Sequence, residues 1–184
     1  MRASSLDEIV ETYRVHGHRQ YGEDVTELEH ALQCATFARD AGEPDVVVAA
    51  ALLHDYGHLC HDLGEDIAER GVDAEHERLG YELLRVVFVD AIADAARLHV
   101  AAKRYLCTTE PGYLAQLSPS SVRSLMLQGG PMSPVDAQQF MSEPHAPLAV
   151  RVRRYDDMGK VPGMRTDPID AFAPLLREFV RPSA

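Results

Sequence analysis

The chain has 184 residues, of which 46% are apolar and 26% are charged. This composition is typical of a globular protein and excludes a disordered tail, a collagen-like fibre and a disulfide-rich miniprotein. The formal net charge of −11 argues against nucleic acid as a partner, because proteins that bind polyanions are normally basic.

Signals for a membrane or an oxidising compartment are missing from the sequence. No apolar run reaches the roughly 18 residues that a membrane span needs, so we predict no membrane partner. The first eight residues lack the apolar core of a signal peptide. The three cysteines, Cys34, Cys60 and Cys107, are odd in number and irregularly spaced, which fits free thiols in a reducing compartment. We therefore expect a cytoplasmic protein.

Helix signals follow one another through the first half of the chain. Ser5 and Glu8 have the spacing of a capping box, and Gly17 is a helix stop, so the first helix runs to about His16. Pro44 takes a first-turn position before a run that is apolar on all sides. The valines of that run also suit a buried strand, but its length and its alanines favour a helix. We predict helices over residues 5–16, 26–41, 44–53, 73–84 and 90–103 or beyond.

The second half contains two Ser-Pro helix starts and a glycine-rich loop between them. Ser118-Pro119 and Ser133-Pro134 each pair an N-cap residue with a first-turn proline. The intervening Gln-Gly-Gly-Pro-Met segment, residues 128–132, needs unusual backbone angles. Further helices are predicted over residues 146–158 and 170–180. Because no pair of strands is indicated, we predict an all-α single domain over residues 1–184.

The strongest local signal for chemistry is His54-Asp55, at the end of the apolar helix. A buried and ionised aspartate is costly unless it is paired or binds a metal. Adjacent side chains on a helix diverge by about 100°, yet a metal at a helix end or bend can contact both. The alternative is a hydrogen-bonded histidine next to an aspartate that caps the helix.

Four more candidate metal ligands lie on other predicted helices: His30, His76, His99 and Asp156. Together with His54 and Asp55 they form a set of four histidines and two aspartates. Such a set can hold two first-row metals and leave some coordination positions open. Imidazole suits iron, zinc and manganese alike, so the ligand types do not select the metal. Taken singly, each histidine is also compatible with an ordinary surface or core position.

Three cationic or donor side chains are spaced one helical turn from these candidate ligands. His58 follows His54 by four residues, Lys103 follows His99 by four, and Arg153 precedes Asp156 by three. If the helices continue, these groups border the open side of the metals and form a site for an anion such as phosphate or phosphonate. The alternative is that Lys103 and Arg153 only pair with nearby carboxylates.

The order of the histidines and aspartates is that of the HD-domain superfamily, and longer strings are similar to one of its families. That family is the 2-amino-1-hydroxyethylphosphonate dioxygenases, which are mixed-valent diiron oxygenases. The resemblance covers about residues 20–160. Its strings are Tyr21-Gly22-Glu23-Asp24-Val25-Thr26, His30-Ala31-Leu32-Gln33-Cys34-Ala35, Ala50-Ala51-Leu52-Leu53-His54-Asp55-Tyr56-Gly57-His58-Leu59-Cys60, Ala102-Lys103-Arg104-Tyr105-Leu106-Cys107, Gln128-Gly129-Gly130-Pro131-Met132 and Arg153-Arg154-Tyr155-Asp156.

The resemblance implies a helical bundle around a dinuclear metal site. An N-terminal helix would occupy residues 1–19, a catalytic core residues 20–160 and a C-terminal helix residues 161–184. Two iron ions in a mixed-valent Fe(II)/Fe(III) state would be bound, with Asp55 bridging them. The implied iron ligands are His30, His54, Asp55, His76, His99 and Asp156.

The resemblance also implies roles for residues around the metals. Tyr21, His58 and Lys103 would be catalytic, and Tyr21 would guard the open iron position until substrate enters. Glu23 would meet the substrate ammonium group. The implied contacts of the phosphonate oxygens are His58, Lys103, Ser121 and Arg153, with Gln128 nearby.

The implied reaction uses O2 as co-substrate to cleave the C–P bond of a 1-hydroxy-2-(substituted)aminoethylphosphonate. The products are phosphate and glycine, or an N-methylated glycine such as glycine betaine. An upstream phosphonate hydroxylase is implied as a functional partner. Two alternatives remain open on the ligand set alone. One is a dinuclear HD phosphohydrolase that acts on a small phosphate ester, and the other is a non-catalytic module stabilised by metal.

Overall fold

The computed structural model describes residues 4–21, 23–61 and 75–182. These residues form ten α-helices and one 3₁₀ helix, and they contain no strand. The predicted all-α class is therefore confirmed. The helices are α1 (Leu6–His16), α2 (Glu27–Asp40), α3 (Asp45–Leu53), the 3₁₀ helix (Tyr56–Cys60), α4 (His76–Val87), α5 (Asp90–Thr109), α6 (Tyr113–Gln116), α7 (Pro119–Leu127), α8 (Pro134–Phe140), α9 (Ala146–Met158) and α10 (Ile169–Arg177).

Side-chain caps begin four of the ten α-helices in the described residues. The Ser5 side chain caps α1, but Glu8 bonds to Ser4 and does not close the predicted box on Ser5. A complete capping box forms instead between Thr26 and Glu29 at the start of α2. Ser118 and Ser133 cap α7 and α8 in the predicted manner, each followed by a first-turn proline.

The start of α3 and one short helix differ from the predictions. Pro44 is the N-cap of α3 and lies just outside its first turn. The short helix α6 was not predicted, whereas α5 continues to Thr109 in agreement with the predicted range of Lys103 or beyond. Helix α4 begins at His76, and the predicted start at Asp73 lies outside the described residues.

The main core is built by side chains of α1 to α5, α9 and α10, and the site residues lie on or directly after α2, α3, α4, α5 and α9. Helix α3 is buried on every side over residues 47–53, because its run of valine, alanine and leucine has no polar face. Small side chains on α5, such as Ala95 and Ala96, are fully buried and let the neighbouring helices approach closely. Among the described residues, no helix is both long and apolar enough to span a membrane.

Candidate active site

Six buried side chains from five helical segments converge at the carboxyl end of α3. One comes from α2, two follow α3 directly, and α4, α5 and α9 supply one each. They are the six predicted metal ligands: His30, His54, Asp55, His76, His99 and Asp156. Because the apolar helix α3 ends here, His54 and Asp55 leave it as a pair in the middle of the core.

Asp55 connects two groups of donors. One group contains His30, His54 and Asp156, and the other contains His76 and His99. Within each group, taken together with Asp55, the donor atoms lie within 4.8 Å of one another. The Asp55 Oδ2 atom lies 3.4 Å from His30 Nε2 and 3.2 Å from His54 Nε2. Its Oδ1 atom lies 3.5 Å from His76 Nε2 and 3.1 Å from His99 Nε2. One carboxylate therefore faces both groups, as a bridging ligand does.

Backbone carbonyls orient three of the four imidazole rings. In each of these rings Nδ1 donates to a carbonyl oxygen and Nε2 faces the centre. This arrangement fixes the tautomer that a metal ligand needs. The three pairs are His30 with Gly159 at 2.8 Å, His54 with Ala51 at 2.8 Å, and His99 with Ala96 at 2.7 Å.

The electrostatics of the cluster suit a cation. Burial alone lowers the pKa of His54, but the charges of Asp55 and Asp156 outweigh it and raise that pKa to about 10. Burial opposes ionisation of Asp55 too, yet the neighbouring His54 and His99 hold its pKa well below the usual value. Asp55 Oδ1 is buried and has no hydrogen bond among the described residues. Two ionised carboxylates among imidazole rings match the donor set of one or two first-row metal ions.

His58 reaches the site by a different route from the one predicted. The helix does not continue past His54, because α3 ends at Leu53 and His58 lies in the 3₁₀ helix. Its ring nevertheless stacks on His76, with the ring centroids 3.8 Å apart. Gly57 permits this close approach, since a Cβ there would lie 1.9 Å from the His76 carbonyl oxygen. Burial and the neighbouring His76 lower the pKa of His58 well below its usual value.

The two predicted cations behave differently. Arg153 is buried and donates to Asp156 Oδ2 at 2.5 Å, and it also bonds to Asp157 and to the Tyr113 hydroxyl. Arg153 therefore pairs with two carboxylates in this structure. Lys103 makes a different contact, donating from Nζ to Ser124 Oγ at 2.7 Å. Burial and then the nearby Arg153 lower the Lys103 pKa to about 8.

Tyr21 covers the donor group around His30. Its ring stacks on His30 with the centroids 3.8 Å apart, and its hydroxyl donates to Asp156 Oδ1 at 3.3 Å. Glu23 follows in the same loop and accepts a hydrogen bond from Ser118 at the start of α7. Tyr21 and Glu23 therefore lie on the side of the site that α7 closes.

Ser121 and Gln128 occupy opposite ends of α7. Ser121 is buried near the start of this helix, where its Oγ accepts a hydrogen bond from Lys160. Gln128 caps the carboxyl end, and its Oε1 atom is buried without a hydrogen-bond partner in the part of the chain that the structure describes. The loop after it is tied to α5, because Arg104 Nε donates to the Gly130 carbonyl at 2.8 Å. Gly129 and Gly130 have φ values of +93° and +70°, which confirms the predicted unusual backbone angles.

One further side chain of the site, Lys160, was missed at the sequence level. Its Nζ donates to Ser121 Oγ at 2.8 Å and lies 5.7 Å from the centre of the Tyr21 ring. Two sequence signals pointed to it. The chain contains only two lysines, Lys103 and Lys160, and Lys160 follows Asp156 by four residues. Both lysines of this acidic protein lie beside the candidate metal ligands.

Comparison with known proteins agrees with this arrangement. The sequence-family model for the HD domain matches residues 28–120. The chain is 42% identical to a 1-hydroxy-2-(trimethylamino)ethylphosphonate dioxygenase (glycine-betaine-forming) of Leisingera caerulea, over 89% of this chain and 84% of that protein. It is 38% identical to a hydroxymethylphosphonate dioxygenase of Gimesia maris, over 93% of this chain and 84% of that protein. An uncharacterised protein of Acanthamoeba polyphaga mimivirus is 33% identical, over 97% of this chain and 83% of that protein. The chain therefore belongs to the HD-domain family and, within it, to the group of the hydroxyphosphonate dioxygenases.

Proposed function

We propose that this protein is an oxygenase that cleaves the C–P bond of a 1-hydroxy-2-(substituted)aminoethylphosphonate with O2. The products are phosphate and glycine, or an N-methylated glycine such as glycine betaine. For the amine substrate the atoms balance with one O2, and each product gains one oxygen atom. The observation that carries the proposal is the 42% identity to a hydroxyphosphonate dioxygenase over 89% of the chain. The six-ligand cluster around Asp55, with Lys103 and Lys160 beside it, supplies a site that fits this reaction.

The cofactor in this proposal is a pair of iron ions in a mixed-valent Fe(II)/Fe(III) state. One iron would be held by His30, His54, Asp55 and Asp156, and the other by Asp55, His76 and His99. When bound, iron supplies the redox chemistry that makes O2 reactive toward the substrate carbon, while the protein supplies ligands, orientation and charge. Histidine and carboxylate donors with positions left open suit a catalytic site better than a closed structural one.

The phosphonate group is received by donors on the open side of the metals. Lys103 and Lys160 bring two ammonium groups, and each is now bonded to a serine of α7, so an anion replaces a neutral acceptor at little cost. Ser121 and His58 add further polar contacts, and Gln128 lies at the end of the same helix. Positive charge at this position offsets the repulsion that a chain of net charge −11 exerts on an anionic substrate.

Arg153 acts both on the substrate and on a ligand. Its guanidinium holds Asp156 in place and completes the positive border of the pocket. Tyr21 occupies the face of the His30 group until the substrate enters. Glu23 exchanges its hydrogen bond with Ser118 for the cationic end of the substrate. A carboxylate suits an ammonium or a trimethylammonium group, so it does not select between them.

The test is phosphate release by protein prepared anaerobically with Fe(II). Four substrates are compared with and without O2: the 2-amino and 2-trimethylammonio forms of 1-hydroxyethylphosphonate, hydroxymethylphosphonate, and a small phosphate ester. We expect two irons per chain and release from an aminated substrate only with O2. Release from hydroxymethylphosphonate alone would refute the role of Glu23. Turnover of a phosphate ester without O2, and of no phosphonate, would establish the hydrolase instead.

Two wider assignments follow from this chemistry. The substrate carries a hydroxyl on the carbon next to phosphorus, so we assign an upstream phosphonate hydroxylase as its source. We place the reaction in the cytoplasm, because Cys34, Cys60 and Cys107 are all free thiols. Cell fractionation and co-expression with a hydroxylase would test these two assignments.

A further inference from the structure

The four histidines of the cluster differ in what holds their Nδ1 atoms. His30, His54 and His99 each donate to a backbone carbonyl oxygen. His76 has no such carbonyl partner among the described residues. Its Nδ1 instead faces Glu77, with the Oε2 atom 3.6 Å away. The two metal positions are therefore supported differently: the position with His76 has a carboxylate behind it.

Within residues 4–21, 23–61 and 75–182, no other contact accounts for the direction of the Glu77 carboxylate. Its Oε2 atom is buried and accepts no hydrogen bond in the described part of the chain. Glu77 is the second residue of α4, where a carboxylate is favoured by the helix dipole. That preference explains an acidic residue here, but a carboxylate serving only the dipole would keep its oxygens in water. A buried, unpaired oxygen beside a ring nitrogen needs a second explanation.

We propose that Glu77 is a positioning residue for His76. Its carboxylate accepts a hydrogen bond from the Nδ1–H group of His76, so that Nε2 faces the metal. It also places a negative charge behind the second metal position. The 3.6 Å separation is too long for a hydrogen bond, and a small rotation of the carboxylate closes it when Nε2 binds a cation. A carboxylate on the far nitrogen makes the imidazole a stronger donor and increases metal affinity. This inference rests on the metal site of the proposed function.

The test is a titration of metal-free protein with Fe(II) under anaerobic conditions, followed by calorimetry. We expect Glu77→Gln to weaken one of two Fe(II) sites by about 10–100-fold and leave the other unchanged. The matched control is Glu82→Gln, since Glu82 lies on the same helix but is exposed and pairs with Arg85. In a His99→Ala background, which removes the second position, Glu77→Gln should have no further effect on the remaining site.

Three outcomes separate the possibilities. Two Fe(II) sites of unchanged affinity in Glu77→Gln would overturn this inference and leave the proposed function intact. Equal weakening of both sites, together with easier unfolding of the metal-free variant, would assign Glu77 to helix stability and also overturn the inference. A wild-type chain that binds no iron would overturn the proposed function itself.

Discussion

Gly159 offers a direct test of how the fold holds the metal ligands. Gly159 is the C-cap of α9, next to α2. Its carbonyl oxygen accepts a hydrogen bond from His30 Nδ1, and the two atoms lie 2.8 Å apart. A Cβ at this position would lie 2.4 Å from Cys34 Sγ and 3.1 Å from His30 Nδ1. The Gly159→Ala variant therefore forces a methyl group between a buried thiol and a candidate ligand.

The size of the effect follows from these distances. Heavy atoms in contact are normally about 3.5–4.0 Å apart, so the end of α9 must move by about an ångström. Overpacking of this kind costs about 1–3 kcal/mol of unfolding free energy. The same movement lengthens the His30–Gly159 hydrogen bond, and a lost partner of a ligating histidine lowers metal affinity by about 10–100-fold. We expect the group around His30 to lose affinity while the group around His99 does not.

Denaturant unfolding of the metal-free protein and Fe(II) titration measure the two effects separately. The compensating variant Gly159→Ala/Cys34→Ala removes the sulfur atom, and we expect it to recover part of both losses. Cys34→Ala alone is the matched control for the cavity that it leaves. A Gly159→Ala protein with wild-type stability and two unaltered Fe(II) sites would refute the link between Gly159 and His30.

The other predictions concern the cations of the pocket. Arg153→Ala leaves Asp156 buried without its partner, so we expect weaker iron binding, a higher KM for the phosphonate and a loss of about 3–5 kcal/mol in unfolding free energy; wild-type values of all three would remove Arg153 from the site. The Lys103 pKa of about 8 predicts that KM rises above that pH as the ammonium loses its charge, and that Lys103→Arg abolishes the rise. The free energy of unfolding changes with pH in the opposite sense to substrate affinity. Between about pH 8 and about pH 10 the unfolded chain still binds the Lys103 proton, whereas the folded chain has released it. The Lys103 contribution to the free energy of unfolding therefore increases over this range. Lys160→Gln should raise KM with little change in iron content, whereas the exposed control Arg165→Gln should not; equal KM values for the two variants would exclude Lys160 from substrate binding.

The helices were predictable because their signals are local. Ser118 and Ser133 cap the helices that follow them, and the apolar run after Pro44 forms a buried helix, since these features depend on neighbours in the chain. The assignment of residues 1–184 to one domain stays a prediction. The individual roles of the site residues also stay predictions until variants are measured.

The sequence by itself determined the fold class and predicted a set of six histidines and aspartates, because these residue types at this spacing are typical of a metal site. Only the tertiary structure decided how the surrounding groups are used. Lys160, which follows the end of α9, donates to Ser121 on α7. The Gly159 carbonyl reaches across to His30 on α2. These two contacts join residues that are distant in the chain, so they depend on how the helices pack, whereas the Arg153–Asp156 pair follows the local i, i+3 spacing of α9.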